Sequence, residues 1–319
     1  MNAEVLNNEG VKFFFDGNLI NARLKYEEAL VKEPNYATTL NNLGMLCLQE
    51  KKFDEAIAYF QKAIKEKDCA TYRLNMGHAL CNIKKLKEAE EQYKLSIIFN
   101  DNLLDGWKSL ASLYQVQKRY HEAIKIWVEI IENKSNDPLY KIYLAKDYIK
   151  IEEYQNALYV LSKASQQEKY LDLTWYYTAL IHFNKQNFDL AKEAIKNAVG
   201  IKPNNESYRS LLATIYLCIS DSNAAFQEWK YVLLLNPSNE QVRIDRAVTL
   251  LSQKLTKEAL QDLTHVLIIN KNNLKALFYK ALTRLEITKD DPEAIKTLKM
   301  LSKGKNEYSN KAKEVLSKI

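Results

Sequence analysis

The sequence predicts an all-α fold that grows by repetition. Three observations carry this reading: scarce turn-forming residues, a 34-residue step that keeps its phase along almost the whole chain, and two helix-period stripes within every step. A single-core domain rarely extends far past ~250 residues, so a chain of 319 needs either several domains or an architecture that lengthens without enlarging one core. Seven glycines and five prolines are too few for the tight turns of a strand-rich chain. Apolar residues make up 47% of the total and are spread evenly, with no run approaching the ~18 residues that a membrane span requires.

The repeat shows first as an alanine followed one helical turn later by a large ring, as in Ala22 and Tyr26, Ala56 and Phe60, Ala89 and Tyr93, Ala123 and Trp127. Aligned on this pair, nine units fill residues 3–302, with starts near 3, 37, 70, 104, 138, 172, 206, 240 and 274; one step is 33 residues long and the others 34. Position 8 of each unit is always small: Gly10, Gly44, Gly77, Ala111, Ala145, Ala179, Ala213, Ala247 and Ala281. Position 20 is alanine from Ala22 to Ala259 and departs only in the ninth unit, where Asp290, Asp291 and Pro292 insert a residue and Ala294 takes the role.

Positions 4, 7, 8 and 11 fall on one face of a 3.6-period helix, and positions 20, 24 and 27 form a second such stripe, so each unit reads as a helical hairpin. The small residues at 8 and 20 let the two helices approach closely, while bulky residues at 4, 11 and 24, such as Trp107, Tyr114 and Trp127, fill the flanks. Pro34, Pro203 and Pro237 at position 32 stop the second helix.

This combination of period, small residues, rings and proline resembles the tetratricopeptide repeat (TPR) over about 300 of the 319 residues; Leu40–Gly44 with Phe53–Ile57 in the second unit is the nearest match. The resemblance implies a right-handed superhelical solenoid of tandem hairpins in which each repeat touches only its neighbours, with an inner groove for peptides or partner proteins and no cofactor. Residues 303–319, with Ala312, Val315, Leu316 and Ile319 on one stripe, are expected to form a C-terminal capping helix.

The face opposite the packed stripe, at positions 2, 6, 9 and 13, is expected to line that groove. Position 6 begins Asn8, Asn42, Asn75. In family members with asparagine here the amide grips peptide backbone, offering donor and acceptor together; the alternative is a polar residue on a solvated face. Tyr143, Tyr176, Tyr177 and Tyr279, with Lys146 and Lys150 near Tyr143, form a second candidate set for an apolar or acidic ligand segment, unless the tyrosines pack between repeats. Asn7 and Val11 stand where a carboxylate clamp would need other residues, so the co-chaperone subclass is disfavoured.

Catalysis has no visible constellation. His78, His121, His182 and His265 lie in different units, with His78 on the groove stripe and His182 at a core position. Cys47, Cys69, Cys81 and Cys218 show no paired spacing and read as reduced thiols, so neither disulfides nor a metal site is expected. No signal segment opens the chain, which reads as cytoplasmic. The whole formal charge of +6 arises after residue 270, where twelve Lys/Arg face six Asp/Glu. The expected function is therefore a non-catalytic interaction scaffold for a protein or peptide, without a small-molecule substrate. The alternative is binding of nucleic acid or an anionic surface through Lys296, Lys299, Lys303, Lys305, Lys311 and Lys313, but lysine point charges read bases poorly.

Overall fold

A computed structural model describes all 319 residues, as 19 α-helices without a strand. Contacts divide the chain into two compact units, Met1–Lys169 and Tyr170–Ile319. The first contains five hairpins: α1 (Ala3–Phe15) with α2 (Leu19–Lys32), α3 (Ala37–Gln49) with α4 (Phe53–Glu66), α5 (Ala70–Asn82) with α6 (Leu86–Phe99), α7 (Leu104–Val116) with α8 (Tyr120–Asn133), and α9 (Pro138–Lys150) with α10 (Tyr154–Ala164). The second contains four: α11 (Leu171–Asn184) with α12 (Phe188–Ile201), α13 (Glu206–Cys218) with α14 (Ser222–Leu235), α15 (Glu240–Ser252) with α16 (Thr256–Ile269), and α17 (Leu274–Ile287) with α18 (Pro292–Ser302). A last helix, α19 (Glu307–Leu316), packs Ala312, Val315 and Leu316 against Phe278, Leu298 and Leu301. Each unit is a TPR-type helical solenoid.

Every hairpin but the last turns in the same way. Position 15 is left-handed at Gly17, Lys51, Lys84, Lys118, Glu152, Gln186, Ser220 and Lys254, with φ between 60° and 77°. The next N–H then donates five residues back to the carbonyl of position 11, as from Asn18 to Phe13 at 2.8 Å and from Arg119 to Tyr114 at 2.8 Å, which satisfies a carbonyl at the helix end. Only the first turn uses glycine; the other seven accept the strain of a side chain in this region. In the ninth hairpin the inserted residue leaves Thr288 extended instead, and Asp291 caps α18 by accepting from the Ala294 N–H.

The hairpin core is a fit between position 8 and position 24. A Cβ added to Gly10 or Gly44 would stand 2.5 Å from the ring of Tyr26 or Phe60, and one on Gly77 would collide with Tyr93. In the fifth hairpin the same two positions are Ala145 and Leu161, both buried, while Ala111 and Ala213 share a core with Trp127 and Trp229, so the tight fit to glycine belongs to the first three hairpins. Position 27 is fully buried in the first eight hairpins whether it is Ala29, Ser96, Ile130 or Val266, and Ser96 satisfies its hydroxyl on the Ala70 carbonyl.

The stripe expected from sequence is incomplete. Positions 3 and 10 are buried as well, at Thr39, Tyr72, Tyr140 and Tyr208, and at Leu46, Ala79, Leu113, Asp147 and Ile215. The cause is a second neighbour: within each unit every second helix packs on the following first helix, and first helices also touch one another from α1 through α3 and α5 to α7 and between α15 and α17. Position 4 is also more than apolar filling. Trp107 Nε1 donates to the Asp101 carbonyl at 2.8 Å, and Arg209 and Arg243 Nε donate to the Pro203 and Pro237 carbonyls at 2.5 and 3.0 Å, tying each first helix to the turn before it.

Between the third and fourth hairpins Glu90 accepts from Arg119 at 2.6 Å, Lys94 at 2.7 Å and Tyr114 at 3.1 Å. Burial alone would raise its pKa, but these three donors outweigh that and hold the carboxyl at about 2. The linkage therefore stabilises fully above the ordinary glutamate range near pH ~4.3 and weakens as pH falls towards 2.

Two stability outcomes follow from this packing. Gly44→Ala is expected to cost about 1–3 kcal/mol through overpacking, and adding Phe60→Leu, which copies the Ala145–Leu161 pair, to return part of the loss; urea unfolding midpoints measure both. Lys118→Gly, which relieves one left-handed side chain, is expected to add about 0.5–1 kcal/mol in the same assay.

Candidate functional site

Within Met1–Lys169 the first helices present one polar stripe. Asp105, Lys108, Ser109, Ser112 and Gln115 follow helical spacing along α7, an otherwise apolar helix. With Asn75 and His78 from α5 and Tyr143 and Lys146 from α9 they line an open cleft of about 960 Å3, floored by Leu74, Tyr93, Leu113 and Trp127. His78 Nε2 lies 3.0 Å from Ser109 Oγ, and burial lowers the imidazole pKa despite the opposing charge of Asp105, which favours the neutral ring at neutral pH. Lys108 pairs with Asp105, whereas Lys146 makes no ion pair. Tyr143 leans on Trp127 with ring centroids 5.1 Å apart.

Behind the wall sits Asp147, 1% exposed, accepting from Gln115 Nε2 at 2.8 and 2.9 Å and from Trp127 Nε1 at 2.8 Å. Burial raises its pKa, and the two donors only partly oppose this. Asp147 thus fixes two side chains of the cleft without entering it.

The asparagines behave differently from the expected ladder. Asn75 is 8% exposed, not on an open face, and donates to Asn41 Oδ1 at 2.9 Å. Asn41 donates to Asn42 at 3.4 Å, Asn42 to Asn7 at 2.9 Å, and Asn7 to Asn8 at 3.4 Å, so five amides form one chain across three hairpins. Thr39 adds a further donor to Asn7 Oδ1 at 3.0 Å. The donors of Asn42 and Asn75 are spent on joining repeats, and of the three predicted amides only Asn8 is exposed. These contacts arise because position 6 faces the first helix of the preceding repeat, a neighbour that the period of one helix does not reveal.

Of the predicted residues, Asn75, Tyr143 and Lys146 meet in the cleft. Tyr176, Tyr177 and Tyr279 belong to the other unit. Tyr176 stacks on Tyr208 of the next repeat at 5.0 Å and meets Tyr177 edge-on at 5.2 Å, while Tyr279 meets Phe278 edge-on at 5.4 Å. All three are half-buried by this packing. The polar stripe of α7 was missed, although its spacing is visible in the sequence as charged, hydroxyl and amide residues one turn apart. No three His, Cys, Asp or Glu side chains are grouped to hold a metal ion, and no helix is long and apolar enough to cross a membrane.

Comparison with known proteins gives the same repeat. The tetratricopeptide repeat family matches residues 37–67 and again 174–205. Among curated proteins, human protein O-mannosyl-transferase TMTC3 is 23% identical over 57% of this chain and 22% of its own length. Mouse anaphase-promoting complex subunit 7 is 26% identical over 30% of this chain and 17% of its own. The chain therefore spans less than a quarter of either relative. Among solved structures, the C-terminal part of a TPR repeat-containing protein from Cytophaga hutchinsonii superposes with a TM-score of 0.60, covering 73% of this chain and 96% of that one at 18% identity. The repeated hairpin, its left-handed turn, the small-residue fit and these likenesses agree on a solenoid built of tetratricopeptide repeats.

Proposed function

We propose that this chain is a protein-interaction scaffold that holds an extended peptide segment in the cleft of Met1–Lys169 and performs no chemistry itself. The observation that carries the reading is the α7 stripe, where polar groups at helical spacing stand over an apolar floor beside the unpaired Lys146. Three first helices about 9 Å apart span about 18 Å, the length of five or six extended residues. Ser112 supplies a donor and an acceptor and Gln115 Oε1 an acceptor for peptide groups, Tyr143 and the floor take an apolar side chain, and Lys146 takes an acidic one. Part of the Asn8, Asn42 and Asn75 set is left to stabilise the frame. Membership of a multi-subunit assembly, which the name of the mouse relative states for that protein, is in keeping with such a role. The likeness to a mannosyl-transferase covers too little of that enzyme to argue for transfer chemistry here.

A second reading rests on the basic end. Lys296, Lys299 and Lys303 border an open hollow of about 720 Å3 along α18, which would suit an anionic surface, although Lys311 and Lys318 nearby are paired with Glu307 and Glu314.

Peptides selected from a random library against the full chain separate the two. Fluorescence anisotropy of the selected peptides is expected to show at least about tenfold weaker binding to Lys146→Glu and to Ser112→Trp, and unchanged binding to Lys299→Glu, with identical helicity by circular dichroism. Binding that survives both cleft variants and is lost in Lys299→Glu would contradict the cleft and favour the basic end.

A further inference from the structure

We infer that Tyr170–Ile319 carries a separate site that reads a phosphorylated side chain, in the groove between α14 and α15. The groove encloses about 470 Å3 and is lined by Gln227, Lys230, Tyr231 and Leu234 on one wall and by Arg243 and Arg246 on the other. No acidic residue lines it.

The two arginines are held in place from behind. Buried Asp262 on α16 receives Arg246 through Nε and Nη2, both at 2.6 Å, and Arg243 through Nη1 at 3.2 Å, while Nε and Nη2 of Arg243 donate to the Pro237 carbonyl. Arg246 Nη1 is left without a protein acceptor, and Lys230 makes no ion pair. Beside them Arg209 lies over the Tyr231 ring at 3.7 Å and pairs with Glu228 at 2.5 Å. Four cations thus stand against two carboxylates around one groove.

A single carboxylate carries one charge and two oxygens in a plane. A phosphoryl monoester carries nearly two charges and three terminal oxygens, which matches the excess here and the mixture of a guanidinium held in place from behind with a mobile ammonium. The rest of α14 indicates a peptide as the carrier. Gln227, Lys230 and Leu234 follow one another along about 10 Å of helix surface, giving an amide for backbone groups, a cation, and an apolar ledge. Leu234 is 77% exposed, and a free phosphate ion would leave it uncovered. The ligand is a phosphorylated residue with an aliphatic neighbour.

The test uses the full chain and a degenerate peptide pool with a central phosphoserine flanked by leucine, alongside the same pool carrying serine or glutamate. Anisotropy is expected to show the phosphorylated pool binding at least about tenfold more tightly than either control, with that advantage lost in Lys230→Glu and Arg246→Gln and kept in Lys146→Glu. Lys230 is exposed and unpaired, so its variant keeps the fold even if loss of Arg246 strains Asp262. Equal binding of the serine and phosphoserine pools, or a phosphate preference untouched by Lys230→Glu, would overturn the site. Competition by inorganic phosphate at the same affinity as the pool would overturn the peptide as its ligand.

Discussion

Each first helix in this protein is buried from two directions, by its own hairpin partner and by the neighbouring repeats, and most other features follow from that constraint. A thirteen-residue helix such as α3 or α5 has few positions left for water once positions 1, 3, 8 and 10 are covered. The close approach to the partner demands Gly44 under Phe60 and Gly77 under Tyr93. Contact with the next repeat demands either apolar residues or polar ones that satisfy each other, because an unpaired buried amide or hydroxyl costs about 1–3 kcal/mol.

The two units meet that demand with different chemistry. In Met1–Lys169 neutral amides do it, through the chain from Asn75 to Asn8. In Tyr170–Ile319 carboxylates at position 1 do it. Asp172 accepts from Tyr208 at 2.7 Å, Glu206 from Asn236 and Asn239 at 3.2 and 2.7 Å, and Glu240 from Asn270 and Asn273 at 3.1 and 2.8 Å. Groups used in this way are not available to a ligand. The groups that the frame leaves unspent, Lys146 with the Ser112 hydroxyl in one unit and Lys230 with Nη1 of Arg246 in the other, mark the places where binding is proposed.

The fold was legible because the hairpin core repeats in residue size. Gly10 to Ala281 at position 8 and the rings and aliphatics at position 24 gave the period and both stripes. The burial of Thr39, Tyr72 and Asp147 was not legible, since the period of one helix shows which faces exist and not how many neighbours they have. The left-handed turn was hidden because Lys51, Lys118 and Glu152 stand where glycine would have announced it. The carbonyl ties of Arg209 and Arg243 were read as packing because position 4 is elsewhere Leu6, Leu40 or Trp175. At the site, Tyr143 and Lys146 were reached from the exposed stripe. Asn42 and Asn75 were assigned to a ligand on the same reasoning although their donors are taken by the preceding repeat.

The amide chain gives the sharpest test of two-sided burial. A double-mutant cycle on Asn41→Ala and Asn75→Ala, read by urea unfolding, is predicted to show a coupling of about 1 kcal/mol, the value of a hydrogen bond made within the frame. Effects that add to within about 0.3 kcal/mol would contradict it, since they would mean that the two side chains do not depend on each other and that Asn75 is free for a ligand.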